Sequence, residues 1–197
     1  MNKQIILILV TACMAFGCDD ENTLESSIYV NDSENPGLPK YSELGYNTFG
    51  AYYDRQSFTS GPMVPVKVIV SGGVTSFLLS GRMLYKDMAL EVRMADFPPD
   101  SYTDLIDLHN TSLNLTDEDY SVIIEEDGVD HEVQILNGTF HFKRTQNLFV
   151  DKELFGVVLS GTFQFQAIID GEPITVSDGR FDVSVNENNF YVIDINP

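Results

Sequence analysis

The feature that most constrains the fold is an alternation of apolar side chains with a period of two. The four valines in residues 64–70 lie two positions apart, and Leu90, Val92 and Met94 repeat the pattern. Successive side chains of a strand point to opposite faces, so this period indicates β-strands rather than helices. We predict strands over residues 47–53, 64–70, 76–80, 84–94, 120–126, 132–136, 139–143, 154–169, 174–177, 180–185 and 190–195.

Glycine-containing turn sequences separate these segments. They are Ser71-Gly72-Gly73, Glu126-Asp127-Gly128, Asn137-Gly138, Asp170-Gly171-Glu172 and Ser177-Asp178-Gly179. Such sequences supply the positive φ angles that tight hairpins require. We therefore expect an all-β fold, an antiparallel β-sandwich or open barrel of about 9–11 strands with little helix. The one predicted helical turn covers residues 101–108, with Asp100 or Ser101 as its cap.

An aromatic strand sequence recurs in the second half of the chain. Gly138-Thr139-Phe140-His141-Phe142 is echoed by Gly161-Thr162-Phe163-Gln164-Phe165 and, more loosely, by Gly179-Arg180-Phe181-Asp182-Val183. The spacing is too irregular for a solenoid or propeller. We predict that the alternate aromatic residues share one core, which would place His141 on the opposite, solvated face.

The amino terminus has the pattern of a secretory signal peptide. Lys3 precedes an apolar run at residues 5–10, and smaller residues lead to Cys18. The run is shorter than the roughly 20 residues of a membrane-spanning helix. Residues 15–18 resemble the lipobox of bacterial lipoproteins, although Ala15 stands where leucine is usual. In that family the cysteine receives a diacylglycerol, the peptide is cut before it, and the new amine is acylated. The alternative is an ordinary buried cysteine, but Cys13 would leave with the leader, so the mature chain would have no disulfide partner.

These observations divide the chain into three parts: a signal peptide (1–17), a lipidated and flexible acidic tether (18–40) and a single β-rich domain (41–197). Alternatively, Ile28, Tyr29 and Val30 in the tether form a short early strand. Asp19, Asp20 and Glu21 follow the cysteine directly. This triplet resembles the export signal of surface lipoproteins in Bacteroidetes; alternatively, it only keeps the linker solvated.

Charge and composition exclude some classes of binding partner and exclude a disordered chain. The net charge of −19 repels phosphate backbones, so nucleic-acid binding is not expected. The 43% hydrophobic content excludes wholesale disorder, because that much apolar surface can offset chain entropy when buried.

No pattern in the chain specifies a catalytic, cofactor or metal site. The acidic pairs Asp117/Asp119 and Glu125/Glu126 are expected by chance among 30 acidic residues, and no Gly-x-Ser-x-Gly or His-Glu-x-x-His motif is present. The acidic clusters lack the order of a calcium-binding loop. We therefore predict no catalytic residue, no cofactor and no metal ligand, and the single predicted modification site is Cys18.

Arg180 is one of only 11 basic residues in a chain with 30 acidic ones, so we expect it in an ion pair. Two roles remain open. It could grip a carboxylate or sugar hydroxyl of a ligand, or it could pin a hairpin to a neighbouring strand.

Three short motifs suggest a family. They are Asn47-Thr48-Phe49-Gly50, Ser160-Gly161-Thr162-Phe163-Gln164-Phe165 and Ser177-Asp178-Gly179-Arg180-Phe181-Asp182-Val183. Together with the lipobox, they resemble small Bacteroidetes lipoproteins, which are single-domain, β-rich and of unknown function. The resemblance covers both ends of the mature domain but not residues 62–130. It implies an envelope location and assigns no catalytic residue.

Two functions follow as hypotheses. The first is a lipid-anchored, non-catalytic binding or assembly module at the outer membrane, with the cell surface favoured over the periplasmic face and with a glycan or another envelope protein as partner. The alternative is a hydrolase of an extracellular polymer such as a glycan, acting through paired carboxylates. Exposed Tyr52, Tyr53, Tyr85 or Tyr102 would favour the first.

Overall fold

The computed structural model describes residues 26–95 and 97–193. The predicted signal peptide, Cys18 and the first part of the predicted tether lie outside the described residues. The all-β class is confirmed. The described chain forms twelve strands, slightly more than predicted: β1 (Thr48–Tyr53), β2 (Gln56–Thr59), β3 (Val66–Ser71), β4 (Val74–Met83), β5 (Lys86–Met94), β6 (Thr111–Asn114), β7 (Tyr120–Glu126), β8 (Val129–Glu132), β9 (Gln134–Val150), β10 (Glu153–Ile169), β11 (Glu172–Val185) and β12 (Phe190–Ile193).

The strands form one sheet that folds over on itself. Its order is β6-β9-β10-β11-β1-β2-β4-β5-β7-β8, and β3 pairs with β4 while carrying β12 on its other edge. Every pairing is antiparallel except that of β12 with β3. Phe77 of β4 meets Phe142 of β9 with ring centroids 5.2 Å apart, so the two halves face each other. The path ends at β6 and β8 without closing, which makes the architecture sandwich-like.

The core between the halves contains the aromatic residues predicted for it. Phe140, Phe142, Phe163, Phe165, Phe181 and Val183 are all buried. The Phe140 ring stacks on Phe163 and on Phe181, with centroids 5.5 and 4.9 Å apart. Full burial of such a side chain contributes about 1.5–3 kcal/mol, so this cluster is a main source of stability.

Three of the five predicted turns are confirmed as hairpins. Gly72-Gly73 joins β3 to β4, Asp127-Gly128 joins β7 to β8, and Asp170-Gly171 joins β10 to β11. In the last, both residues have positive φ, 51° and 86°, as the turn chemistry requires.

The turns predicted at Asn137-Gly138 and Ser177-Asp178-Gly179 are wrong. Both sequences lie inside long strands, β9 and β11, at shifts of register that mark β-bulges. A Cβ on Gly138 would collide with Phe165, so this glycine permits close approach between strands rather than a reversal of the chain. Asp178, with φ of 53°, is an extra residue in β11.

The predicted helical turn is confirmed as a 3-10 helix, Tyr102–Leu108, which begins after Ser101. The Asp104 carboxylate accepts hydrogen bonds from the backbone N–H groups of Asp100 and Ser101, both at 3.0 Å. This cap satisfies donors at the start of the helix, where no intrahelical acceptor exists.

Residues 26–40 differ from the free tether expected there. Leu38 is fully buried, and backbone hydrogen bonds join Ile28 N–H to Tyr46 O at 2.8 Å and Lys40 N–H to Val30 O at 2.7 Å. The segment therefore packs on the domain. Polar composition hid this docking, because the buried contacts come from single residues rather than from a periodic pattern.

Candidate functional site

A buried carboxylate holds the amino-terminal segment against the outer face of the sheet. Asp182 is 1% exposed and lies on β11, on the face opposite Phe181. Its two oxygens accept five hydrogen bonds. The donors are Ser42 Oγ (2.5 Å), Leu44 N (3.2 Å), Gly45 N (2.8 Å), Tyr46 N (3.0 Å) and Ser160 Oγ (2.9 Å).

Asp182 thus fixes residues 42–46 as a loop, since three consecutive backbone N–H groups point at one charge. Hydrogen bonds to an ionised acceptor are about twice as strong as neutral ones. Sequence reasoning missed this role of Asp182, because four of its five donors lie about 140 residues away in the chain.

Arg180 secures the same segment further upstream. Its Nη1 donates to Asp32 Oδ2 at 2.5 Å and its Nε to the Asp178 carbonyl at 3.0 Å. The Arg180 and Asp32 side chains are 11% and 15% exposed. The expected ion pair is confirmed, but the partner is the amino-terminal segment rather than a neighbouring strand.

Asp32 is held in its ionised form. The Asn35 side chain, the Glu34 backbone N–H and Arg180 donate hydrogen bonds to its carboxylate, and together they lower its pKa to about 2. The pair therefore keeps its charges at neutral pH, and the segment stays pinned to β11.

Pinning this segment creates a cleft of about 470 Å³ between residues 32–41 and strands β9, β10 and β11. That volume lies in the usual range for small-molecule sites. The lining residues include Asp32, Glu34, Asn35, Tyr41, Thr139, Lys143, Thr162, Gln164, Asp178 and Arg180.

Several polar groups of the cleft remain available to a ligand. Within the described residues, the side chains of Thr139, Thr162 and Gln164 have no hydrogen-bond partner. Lys143 Nζ lies 5.0 Å from the centroid of the Tyr41 ring. The cleft therefore offers two hydroxyls, an amide and an ammonium group beside an aromatic ring.

Tyr41 is itself fixed in place. Its hydroxyl donates to Glu43 Oε1 at 3.0 Å, and burial followed by this carboxylate raises the pKa of Tyr41. Glu43 also pairs with Arg144 at 3.1 Å, and the pKa of Glu43 is lowered by that contact and by the Tyr41 hydroxyl. The ring is therefore a neutral, positioned surface at one side of the cleft.

The acidic residues singled out from sequence have local roles. Asp117 accepts from Asn114 Nδ2 at 2.7 Å, and Glu126 pairs with Lys86 at 3.1 Å. In the described parts of the chain, no three His, Cys, Asp or Glu side chains come close enough together to hold a metal ion.

The three histidines are dispersed. His109 Nδ1 accepts from Thr145 N–H at 3.2 Å, and His131 lies 3.0 Å from Asp170. His141 is half-buried on β9, opposite the core phenylalanines as expected.

The four tyrosines considered as exposed binding residues behave differently from one another. Tyr85, at the β4–β5 hairpin, is 94% exposed. Tyr52 donates to the Pro36 carbonyl at 2.9 Å, and Tyr53 and Tyr102 pack against the core. Burial raises the pKa of Tyr53 to about 12.

Comparisons with protein-family models, with curated proteins and with solved structures find no match to this chain. Over residues 26–95 and 97–193, no helix has the length and apolar character needed to span a bilayer.

Proposed function

We propose that this chain is a lipid-anchored protein of the bacterial outer membrane, attached through Cys18, whose β domain is a non-catalytic binding module. The leader and the lipobox-like residues 15–18 support the anchor. The acidic triplet behind Cys18 supports the cell surface as its location. The cleft between the amino-terminal segment and β9–β11 is the proposed binding site.

The observation that carries the binding role is the set of polar groups without partners in the cleft. Thr139, Thr162 and Gln164 can each donate and accept, which suits a ligand rich in hydroxyl groups, such as a glycan. Tyr41 adds an aromatic surface. The charge of −19 opposes a polyanionic ligand.

A glycan hydrolase would need one carboxyl that stays protonated near neutral pH to act as general acid. Asp32 does not meet this requirement, since its pKa of about 2 and its contact with Arg180 keep it ionised. Asp32 is therefore not the general acid of such a hydrolase.

Metabolic labelling with a fatty-acid probe tests the anchor. We expect label on the wild-type protein in the membrane fraction, and none on Cys18→Ser. Equal labelling of both proteins, or of neither, would contradict attachment at Cys18.

A glycan-array screen with matched variants tests the cleft. Gln164 lines the cleft, whereas Gln166 lies two residues along the same face of β10 and is engaged by Asn137 Nδ2 at 2.8 Å. We expect Gln164→Ala to weaken binding about tenfold, the loss of about 1.4 kcal/mol of hydrogen bonding, and Gln166→Ala to leave it unchanged. Equal effects of the two substitutions would place the ligand elsewhere.

A further inference from the structure

Four exposed apolar residues lie in the chain segments that meet near the start of the described residues. Ile28 is 50% exposed, Val30 44%, Leu44 63% and Met63 75%. We refer to these four residues as the exit surface. Single exposed apolar residues are ordinary, but a group of them marks an interaction site.

The backbone brings these residues together. Ser26 forms a β-bridge with Met63, and Ser27 N–H donates to the Pro62 carbonyl at 3.0 Å. Ile28 N–H donates to the carbonyl of Tyr46, two residues beyond Leu44. The exit surface is therefore built from the docked segment, the 42–46 loop and the β2–β3 connection.

The length of chain upstream limits where this surface can lie. Ser26 lies eight positions after Cys18, and a chain of that length spans at most about 28 Å when fully extended. With Cys18 acylated as proposed above, the docking of residues 26–40 removes most of the freedom of a 22-residue tether. Ser26, at the edge of the exit surface, is then held within about 28 Å of the bilayer.

Two basic side chains accompany it. Lys40 is exposed and its N–H bonds to the Val30 carbonyl, and Lys67 is exposed and lines the same shallow groove as Met63. Neither lysine has a carboxylate partner among the described residues. Apolar side chains beside lysines suit the headgroup region of a phospholipid layer, where lysine stems and ammonium groups meet lipid phosphates.

We propose that the exit surface rests in the phospholipid headgroup layer to which Cys18 is attached, which fixes one orientation of the domain on the membrane. The inference rests on the proposed anchor. The binding partner of the exit surface is the lipid layer itself.

Vesicles test the orientation without relying on cellular acylation. A chain that starts at Cys18 keeps every core residue described, Leu38 to Val185, and contains one thiol, so it can be coupled to maleimide-headgroup lipid in phosphatidylcholine vesicles. The sequence contains no tryptophan, so Ile28→Trp and Met63→Trp each introduce a single fluorescent reporter.

Leu136→Trp is the matched control. Leu136 is 52% exposed, and its neighbour Ile135 pairs with Ala167 on β10. Ala167 lies seven residues beyond Ser160, which is about 23 Å along the strand from the Asp182 site that holds the 42–46 loop.

We expect lipid-borne nitroxide to quench Ile28→Trp and Met63→Trp at least about twofold more than Leu136→Trp. Equal quenching of all three overturns the orientation while leaving the anchor intact. Absence of acylation at Cys18 in cells contradicts the proposed function. The vesicle experiment would still show whether the exit surface contacts lipid. If the tryptophans at positions 28 and 63 are shielded in cell envelopes but are not quenched on vesicles, the lipid contact is overturned in favour of a protein partner.

Discussion

Replacement of Asp182 tests whether one buried carboxylate holds the 42–46 loop. Asp182→Ala removes the acceptor of three backbone N–H groups and two hydroxyls. The serine hydroxyls can rotate to other acceptors, and the Leu44 N–H keeps a second acceptor, Ser42 Oγ at 3.2 Å, but the N–H groups of Gly45 and Tyr46 lose their acceptor. With about 1.5 kcal/mol lost for each of these two bonds to a charged group, we expect a destabilisation of about 3 kcal/mol.

Asp182→Asn should cost less. An asparagine can place its oxygen at the Oδ2 position, where Leu44, Tyr46 and Ser42 donate, but its amide group then faces the Gly45 N–H. One lost backbone bond and the lost charge together predict about 2 kcal/mol. Asp130→Asn, at an exposed position on β8, is the control and should change stability by less than about 0.5 kcal/mol.

Urea unfolding followed by circular dichroism measures these free energies, and hydrogen exchange reports on the loop itself. In the wild-type protein the amides of Leu44, Gly45 and Tyr46 should be protected, and in Asp182→Ala they should exchange rapidly while the amides of Phe140 and Phe163 stay protected. A loss below about 1 kcal/mol for Asp182→Ala, or unchanged protection of the three amides, would show that Asp182 does not hold the loop.

Three further perturbations have defined outcomes. The Asp32 carboxyl has a folded pKa of about 2, below its unfolded value of about 3.9, so its stabilising contribution is complete above about pH 5 and is lost as the pH falls through about 2. The difference between the unfolding free energies of wild type and Asp32→Asn in urea should therefore shrink over that pH range. A difference that does not change with pH would contradict this prediction. Gly161→Ala would drive a Cβ into the His141 carbonyl and the Phe181 ring and should lower the free energy of unfolding by about 3 kcal/mol. Gly61→Ala is the control and should be near neutral, because the space around Gly61 is open. Similar melting temperatures for the two variants would argue against the packing described. Leu84 has a φ of 57° in the β4–β5 turn, so Leu84→Asn should stabilise the protein by about 0.5–1 kcal/mol in thermal unfolding, and a loss of stability would indicate that the leucine side chain contributes contacts.

The parts of the fold that sequence predicts best are those with short-range causes. Alternating apolar residues identified most strands, and Asp170-Gly171 identified a hairpin because its backbone requirement is local. The capped helix after Ser101 follows from the same kind of signal.

The predictions fail where contacts between residues far apart in the sequence determine the structure. Gly138 and Gly179 have the local sequence of turns, but each faces a phenylalanine on β10, and strand pairing carries the chain straight through. The docking of residues 26–40 was missed for the same reason, because Arg180 meets Asp32 across 148 positions of sequence. The cleft depends on that docking, so sequence alone identified Arg180 as a paired residue without revealing a site.

Mass spectrometry of the mature protein extracted from membranes shows whether the chain is anchored through Cys18. We expect an amino-terminal peptide that begins at Cys18 and carries a diacylglyceryl group on its sulfur. An unmodified Cys18, or a mature chain that retains residues 1–17, would contradict it.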